Sequence, residues 1–193
     1  MNKKIIIVEG YPASGKSTFT RELSKAIGVP YLMKDTFKIA LCKNISVTSL
    51  EESRLYSSVT FDAMMYVVER LMETGSSMII EGNFVPAGIK KTDESQVIKT
   101  LISEYNYQSL VFKFTGDTQI LHKRYIERDK LPERGGVNAF YKSVSYTDFA
   151  QGCRNLDSFY IGENTMVVDT TDFDVVDFNS HIEKARSFIK EKA

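Results

Sequence analysis

An α/β fold with helices on both faces of a five-stranded parallel sheet is what this sequence predicts, and three observations carry the prediction. Short β-rich runs alternate with segments of helical period along the whole chain. Two of those runs, Ile5-Ile6-Ile7-Val8 and Met166-Val167-Val168, are unbroken apolar stretches, as strands covered on both faces are. At 193 residues, 42% hydrophobic and 26% charged, with no low-complexity tract, the chain suits one compact domain spanning residues 1–193.

The first strand, Lys4–Val8, runs directly into Gly10–Ser17, which reads G-x-x-x-x-G-K-[ST] and opens a helix carrying Phe19, Leu23, Ala26 and Ile27. The second strand, Pro30–Met33, ends at Lys34-Asp35. A long helix over Leu50–Glu73 follows, with Leu55, Val59, Ala63, Val67 and Leu71 as its apolar stripe. Thr48 with Glu51 and Ser49 with Glu52 are alternative capping boxes for it, and Gly75 stops it. The third strand, Ser77–Glu81, precedes a helix marked by Val97, Leu101 and Tyr105, with Thr92 as its cap. After the fourth strand, Ser109–Phe114, Asp117 caps a helix running to about Arg128. The fifth strand is Thr165–Asp169. Ser180 and Glu183 form a capping box for a last helix whose Ile182, Ala185 and Ile189 face inward.

Charge and cysteine content narrow the function classes. Lys plus Arg and Asp plus Glu both number 25, so no basic excess points to a nucleic-acid partner. Cys42 and Cys153 are far apart and outside any CxxC spacing, which reads as two free thiols in a reducing cytosol. The opening aliphatic run, Ile5 to Val8, is too short for a secretory or membrane-spanning segment, so a cytoplasmic location and no membrane partner are expected. Oligomeric state leaves no trace in the sequence.

In an open α/β sheet, ligands bind beyond the carboxyl ends of the strands. That rule brings together residues 9–18, 34–38, 81–86, 115–117 and 170–174. The first of these is a phosphate-binding loop. Gly10, Pro12, Ala13, Ser14 and Gly15 let the backbone of roughly residues 12–17 wrap a phosphate with its N–H groups, Pro12 having none of its own. The helix N-terminus at Lys16, Ser17 and Thr18 adds partial positive charge. Lys16 reaches the β- and γ-phosphates, and the Ser17 hydroxyl ligates magnesium. ATP and Mg²⁺ are therefore the expected cofactors. The chain has no N-K-x-D for guanine and no L-S-G-G-Q, which argues against a regulatory GTPase and a transporter ATPase.

Three further segments turn a phosphate loop into a donor–acceptor site. Asp35 stands where a kinase needs a carboxylate to orient an acceptor hydroxyl and take its proton; capping a helix that begins at Thr36 is the competing role. Lys34 reads as a solvated side chain. Glu81, at the end of the third strand, suits the magnesium side or the substrate equally. Asn83 and Phe84 follow it into the acceptor pocket, with Phe84 a lining or stacking surface, or simply a core residue. Arg124 and Arg128 share one helix face and, with Arg134 beside Gly135-Gly136, suit a lid that neutralises transition-state charge; a solvated basic face competes.

The order of loop, post-strand aspartate, "IIEGNF" and arginine-bearing lid resembles the cytoplasmic P-loop kinases related to zeta toxin, chloramphenicol phosphotransferase and phage polynucleotide kinase, and small bacterial "AAA-domain" kinases of that group. The likeness spans nearly the whole chain, to "MVVDTTDFD". It implies a three-layer P-loop NTPase fold of nucleoside-kinase type, with a helical acceptor-side insertion over about 36–74 and a short helical lid over about 124–138. It implies Gly10, Gly15, Lys16, Ser17 and Thr18 for nucleotide and metal, Asp35 for the acceptor, Arg124 and Arg128 for the lid, and Thr170, Thr171 and Asp172 near the base. The Arg-His-Pro-Gly-His run of many relatives is "RGGVN" here, which leaves the role of Arg134 open. "EGNFVP" replaces the D-G-[FY]-P-R run of nucleoside monophosphate kinases, and no D-x-D follows the second strand. The expectation is an ATP- and Mg²⁺-dependent kinase acting on a hydroxyl of a small molecule. A kinase of a polynucleotide end or a nucleotide sugar is the rival enzyme, and a slow ATP-binding switch the rival of another class.

Overall fold

Ile5 and Ile7 enter one core layer and Ile6 and Val8 the other, all four 0% exposed, which is why the first strand has no polar face. This strand, β1 (Lys4–Gly10), is the centre of a five-stranded, all-parallel sheet. The computed structural model describes residues 3–85, 92–128 and 144–191. In chain order the other elements are α1 (Lys16–Ile27), β2 (Tyr31–Met33), α2 (Lys34–Cys42), α3 (Leu50–Glu73), β3 (Met78–Gly82), α4 (Glu94–Glu104), β4 (Gln108–Thr115), α5 (Thr118–Arg128), α6 (Tyr146–Arg154), β5 (Thr165–Asp169) and α7 (Phe178–Lys190). The sheet order is β2-β3-β1-β4-β5, so the carboxyl ends of β3 and β4 flank the loop that follows β1.

The two layers divide the helices. Phe19 and Leu23 of α1 and Ala185 and Phe188 of α7 pack with Ile6, Val8 and Phe112 on one face. Phe61, Met64, Val68 and Met72 of α3 and Ile98 of α4 pack with Ile5, Ile7 and Val111 on the other. Phe19 touches Phe112 and Phe114 at ring-centroid distances of 5.2 and 5.3 Å, and each such buried aromatic stabilises by roughly 1.5–3 kcal/mol. These contacts seat the first turn of α1 against the sheet.

All five strands fall where the sequence puts them, but three helix details differ. The long helix has the expected bounds, yet Leu55 and Val59 are 58% and 47% exposed. A repeat of four residues drifts about 40° around the helix per step, so a stripe begun at Leu55 reaches the core only near Val67 and Leu71. The buried face is set by Phe61, Met64, Met65, Val68 and Met72 instead. Ser49 is the cap of α3, accepting from the Glu52 amide, while Glu52 reaches back to Thr48. α4 is capped by Asp93 rather than Thr92, and α7 by Asp177, which accepts from the Ser180 amide. Glu183 pairs with Arg186 instead of closing a box. Asp117 caps α5 as expected, accepting from the Gln119 and Ile120 amides.

Lys34 is not solvated. It is 5% exposed and lies 2.6 Å from the Glu94 carboxylate, itself 1% exposed, whose other oxygen also accepts from the Val85 amide. Burial demands a partner for the ammonium, and that partner is 60 positions away. The pair joins the start of α2 to both ends of the β3–α4 connection, and so fixes two walls of the site. Cys42 and Cys153 are both free. Among the described residues no helix is long and apolar enough to cross a membrane.

Candidate functional site

The β1–α1 loop is built by close approach. Gly10 has φ +124°, and a Cβ there would lie 2.0 Å from the Phe114 carbonyl oxygen, so no side chain fits while β1 and β4 pair this tightly. The Tyr11 amide donates to the same oxygen at 2.8 Å. Ala13 (φ 60°) and Gly15 (φ 85°) complete the turn, and Gly15 is the N-cap of α1 without a side-chain bond. The first amides of α1 are thus uncapped by side chains and point into the loop's concavity, the arrangement that receives a phosphate. Ser14 Oγ donates to the Tyr11 carbonyl at 2.7 Å, and Lys16 Nζ donates to the carbonyls of Gly10 (3.0 Å) and Tyr11 (2.6 Å). Burial pulls the Lys16 ammonium below its ordinary range, opposed by the charges of Glu81, Asp35 and Glu9.

Glu81 comes to the loop from the end of β3. Ser17 Oγ donates to its Oε2 at 3.1 Å. Burial pushes its carboxyl up to about 6, with Lys16 opposing and Asp35 adding to the rise. A hydroxyl and a carboxylate at this spacing are the hard-oxygen donors that magnesium accepts when phosphates and water complete its shell. Among the described residues no group of three or more His, Cys, Asp or Glu is placed to hold a metal; Ser17 and Glu81 are two donors that fit a cation beside a bound phosphate.

Two clefts open from this point. One, of about 190 Å³, is lined by Pro12, Lys16, Ser17, Asp35, Lys38, Ile39, Glu81, Asn83, Tyr125 and Arg128. The other, of about 670 Å³, is lined by Ala13 to Thr18 with Arg21, Ile39, Arg124, Glu127, Arg128 and Phe173. Lys16, Ser17, Ile39 and Arg128 line both. Asp35 lies in the first turn of α2, whose N-cap is Met33, so it does not serve as the cap of a helix starting at Thr36. Its carboxylate faces the smaller cleft, with Asn83.

Comparison with known proteins bears on the fold. No family profile matches the sequence, and no curated protein does. Among solved structures, a presumed kinase from Chloroflexus aurantiacus superposes with a TM-score of 0.84 at 22% identity, covering 97% of this chain and 99% of that one. A gluconokinase from Sinorhizobium meliloti (TM-score 0.57, 14% identity, 97% and 91% covered) and a sugar kinase from Janibacter sp. (0.54, 14%, 96% and 94%) share the architecture less closely. The fold is one that kinases use. At these identities the likeness is one of architecture.

Within that architecture several sequence expectations resolve differently. Phe84 lines neither cleft. It is 0% exposed and packs between Phe61 and Phe159 (ring centroids 6.2 and 5.9 Å), which corrects its assignment to the acceptor pocket. The chain leaves β3 with Gly82 against the Phe84 ring, and that turns the side chain into the α3 layer. Thr170, Thr171 and Asp172 use their side chains to hold their own segment. Thr170 Oγ1 donates to the Thr115 carbonyl, Thr171 Oγ1 accepts from the Asp117 amide, and Asp172 accepts from the Asp174 amide. From that segment it is Phe173 that faces the larger cleft. The sequence placed residues 170–174 at the site, but nothing in it distinguished the aromatic from its neighbours.

Arg124 and Arg128 face the larger cleft from α5. The Arg124 guanidinium donates to the carbonyls of Thr170 (2.6 Å) and Thr171 (2.9 Å) and stacks on the Phe173 ring at 4.1 Å. Arg124 thus lines the larger cleft and not the one that holds Asp35. Arg128 lies nearer the loop, over the Tyr125 ring at 5.1 Å. Arg134, Gly135 and Gly136 lie outside the described residues.

A second buried cluster, with no counterpart among the expectations from the sequence, lies next to the loop at Glu9. Glu9 is 0% exposed, and neither carboxylate oxygen has a hydrogen-bond partner. The closest cation is Lys113 Nζ, 3.9 Å away, which donates to the Asp157 carbonyl at 2.7 Å. Tyr11 Oη donates to Asp157 Oδ1 at 2.7 Å, tying the phosphate loop to the segment after α6. Burial pushes the Glu9 carboxyl up to about 8, against the opposing charges of Lys113 and Lys16. Burial likewise pushes the Cys153 thiol up to about 12, so this cysteine is an inert packing residue.

Proposed function

We propose that this protein is an ATP- and Mg²⁺-dependent kinase that transfers the γ-phosphoryl group of ATP to a hydroxyl of a small molecule in the cytoplasm. One observation carries the reading: the phosphate-loop cleft and the cleft containing Asp35 share Lys16, Ser17 and Arg128. A donor phosphate and an acceptor hydroxyl can therefore meet along one line.

In this reading residues 10–18 hold the triphosphate through backbone amides and Lys16, which leaves its two loop carbonyls for phosphate oxygens. Ser17 and Glu81 hold the magnesium, whose chemistry is to neutralise charge on the β- and γ-phosphates. Asp35 accepts the proton of the acceptor hydroxyl as its oxygen bonds to the γ-phosphorus; the bond from that phosphorus to the β–γ bridging oxygen breaks, and ADP leaves. Arg128 meets the charge spread over the transferring group. Arg124 and Phe173, stacked on each other beside the Thr170–Asp172 segment, form the base-side wall. Residues of about 36–74 form the acceptor wall, and Arg124 and Arg128 on α5 are the described part of the expected lid.

The volume of the Asp35 cleft favours a small molecule over a polynucleotide end, which needs an extended groove. The names sugar kinase and gluconokinase among the structural neighbours make hydroxyl-rich small molecules the class to try first. As one member of the zeta toxin-like group, the chain would share the arginine-bearing lid and post-strand aspartate with it, but not a known acceptor.

ADP production measured with and without a panel of polyols, sugars and hydroxy acids tests the proposal. The expected outcome is a slow basal rate raised at least about tenfold by a subset of hydroxyl compounds, as general-base positioning implies. Tight nucleotide retention with no stimulation by any compound would favour the switch and count against the kinase.

A further inference from the structure

We infer that Glu94 is a positioning residue for phosphoryl transfer: through Lys34 and the Val85 amide it holds Asp35 and Asn83 where an acceptor hydroxyl can meet them. The inference rests on the kinase reading and deepens it. Glu94 lines neither cleft and is 1% exposed. Asp35, Lys38 and Ile39 of the smaller cleft all stand on α2. Lys34 is the one buried residue of that helix, and Phe37 is only partly covered by the neighbouring core. The helix that carries Asp35 is therefore anchored at its first turn by an ammonium. Lys34 Nζ lies 2.6 Å from both Glu94 oxygens and 5.3 Å from the centre of the Phe61 ring. Glu94 is in turn clasped to Val85 twice. Its amide donates to the Val85 carbonyl at 3.1 Å, and its Oε2 accepts from the Val85 amide at 2.9 Å. Val85 follows Asn83 by two residues, so one carboxylate ties the turn that bears Asp35 to the strand exit that bears Asn83.

Packing alone does not call for charges at this place. The surrounding layer is apolar, with Phe61 and Phe84, and uncharged residues of similar volume commonly stabilise such a position as well as a buried ion pair does. What the pair adds is direction. An ammonium set on a carboxylate that is itself held by a backbone amide fixes the placement of the first turn of α2. Transfer depends on such placement, because a shift of about 1 Å at the reacting groups costs on the order of 10²-fold in rate.

The test replaces the pair with neutral residues of similar size, Lys34→Met with Glu94→Gln, which keeps a side-chain oxygen for the Val85 amide and should fold about as stably as the wild type. Transfer kinetics, ATP affinity by calorimetry and melting temperature are measured for the wild type, this pair, Asp35→Asn and the three changes together. The acceptor is whichever of glycerol, glucose and gluconate, or failing these another member of the wider panel, gives the fastest wild-type transfer. The neutral pair is expected to keep its melting temperature, to bind ATP within about twofold of the wild type, and to lose transfer about 10–100-fold, mainly in kcat. Added to Asp35→Asn, it should cost no more than about a further twofold, because both changes act through the same carboxylate. Glu94→Gln alone, which keeps the side chain's shape, carries the same comparison where the pair does not fold. Transfer within about twofold of the wild type, an equal fold-loss with and without the Asp35 carboxylate, or ATP affinity that falls in step with transfer would overturn the inference and leave the kinase reading standing. Absence of wild-type transfer to every acceptor would remove the kinase reading and the inference with it.

Discussion

Asp35→Asn is expected to lower kcat for phosphoryl transfer by about 10²–10⁴-fold while leaving nucleotide affinity within about twofold. Asparagine keeps the shape of the side chain and can still hydrogen-bond an acceptor hydroxyl, but its amide cannot take the proton. The donor side should be little affected, because Asp35 lines only the smaller cleft. Its influence on the loop is electrostatic: it raises the Glu81 carboxyl and supports the charge on Lys16. Steady-state rates with the preferred acceptor, set beside calorimetric binding of ATP, separate the two effects. Transfer that survives intact in Asp35→Asn would leave the carboxylate with no catalytic role.

Glu9→Gln is expected to stabilise the protein, and increasingly so as pH rises. The Glu9 carboxyl is pushed from 4.5 in the exposed chain to about 8 in the fold, so the folded state holds a proton that the unfolded state releases. Stability from this group is full below about pH 4.5 and is lost as pH rises towards 8. By linkage the loss is on the order of 3 kcal/mol at pH 7 and somewhat more at pH 8.5. Glutamine has no proton to lose. Its melting temperature should therefore match the wild type near pH 5 and exceed it by roughly 10 °C near pH 8.5. A gap that does not change with pH would show that Lys113, 3.9 Å away, already compensates the charge.

The fold was legible because its strongest signals are local. An unbroken apolar run followed by a glycine-rich turn and an amphipathic helix identifies β1, the loop and α1 from neighbouring residues alone, and short apolar runs of the same kind find the other four strands. What the sequence hid depends on partners distant in the chain. Lys34 reads as an exposed lysine until α4 brings Glu94 to it. Glu9 looks like the polar end of a strand, but β3 and β4 pair along both its sides and bury it. The face of α3 was misread because an i, i+4 stripe precesses, and because methionines that fill the core weigh less in a periodicity than Leu and Val. Helix α6 was not anticipated, although Ser145 caps its start, accepting from the Asp148 amide and donating its hydroxyl to the Asp148 carboxylate, a pairing visible in "SYTD". Among site residues, Lys16, Ser17, Asp35, Glu81 and Asn83 converge on the Asp35 cleft as their strand ends require. Lys38 and Phe173 were missed because only packing decides which residue of α2, or of the turn at Phe173–Val175, faces a cleft.

Whether the two clefts that share Lys16, Ser17 and Arg128 pass a phosphoryl group from a triphosphate to a hydroxyl is read from the fate of the γ-phosphate, followed by ³¹P NMR in the presence of a stimulating acceptor. A new phosphate monoester resonance is expected to grow in step with ADP, mole for mole, in the wild type, and to be lost in Asp35→Asn. ATP consumed with inorganic phosphate as the sole new phosphorus product would contradict it.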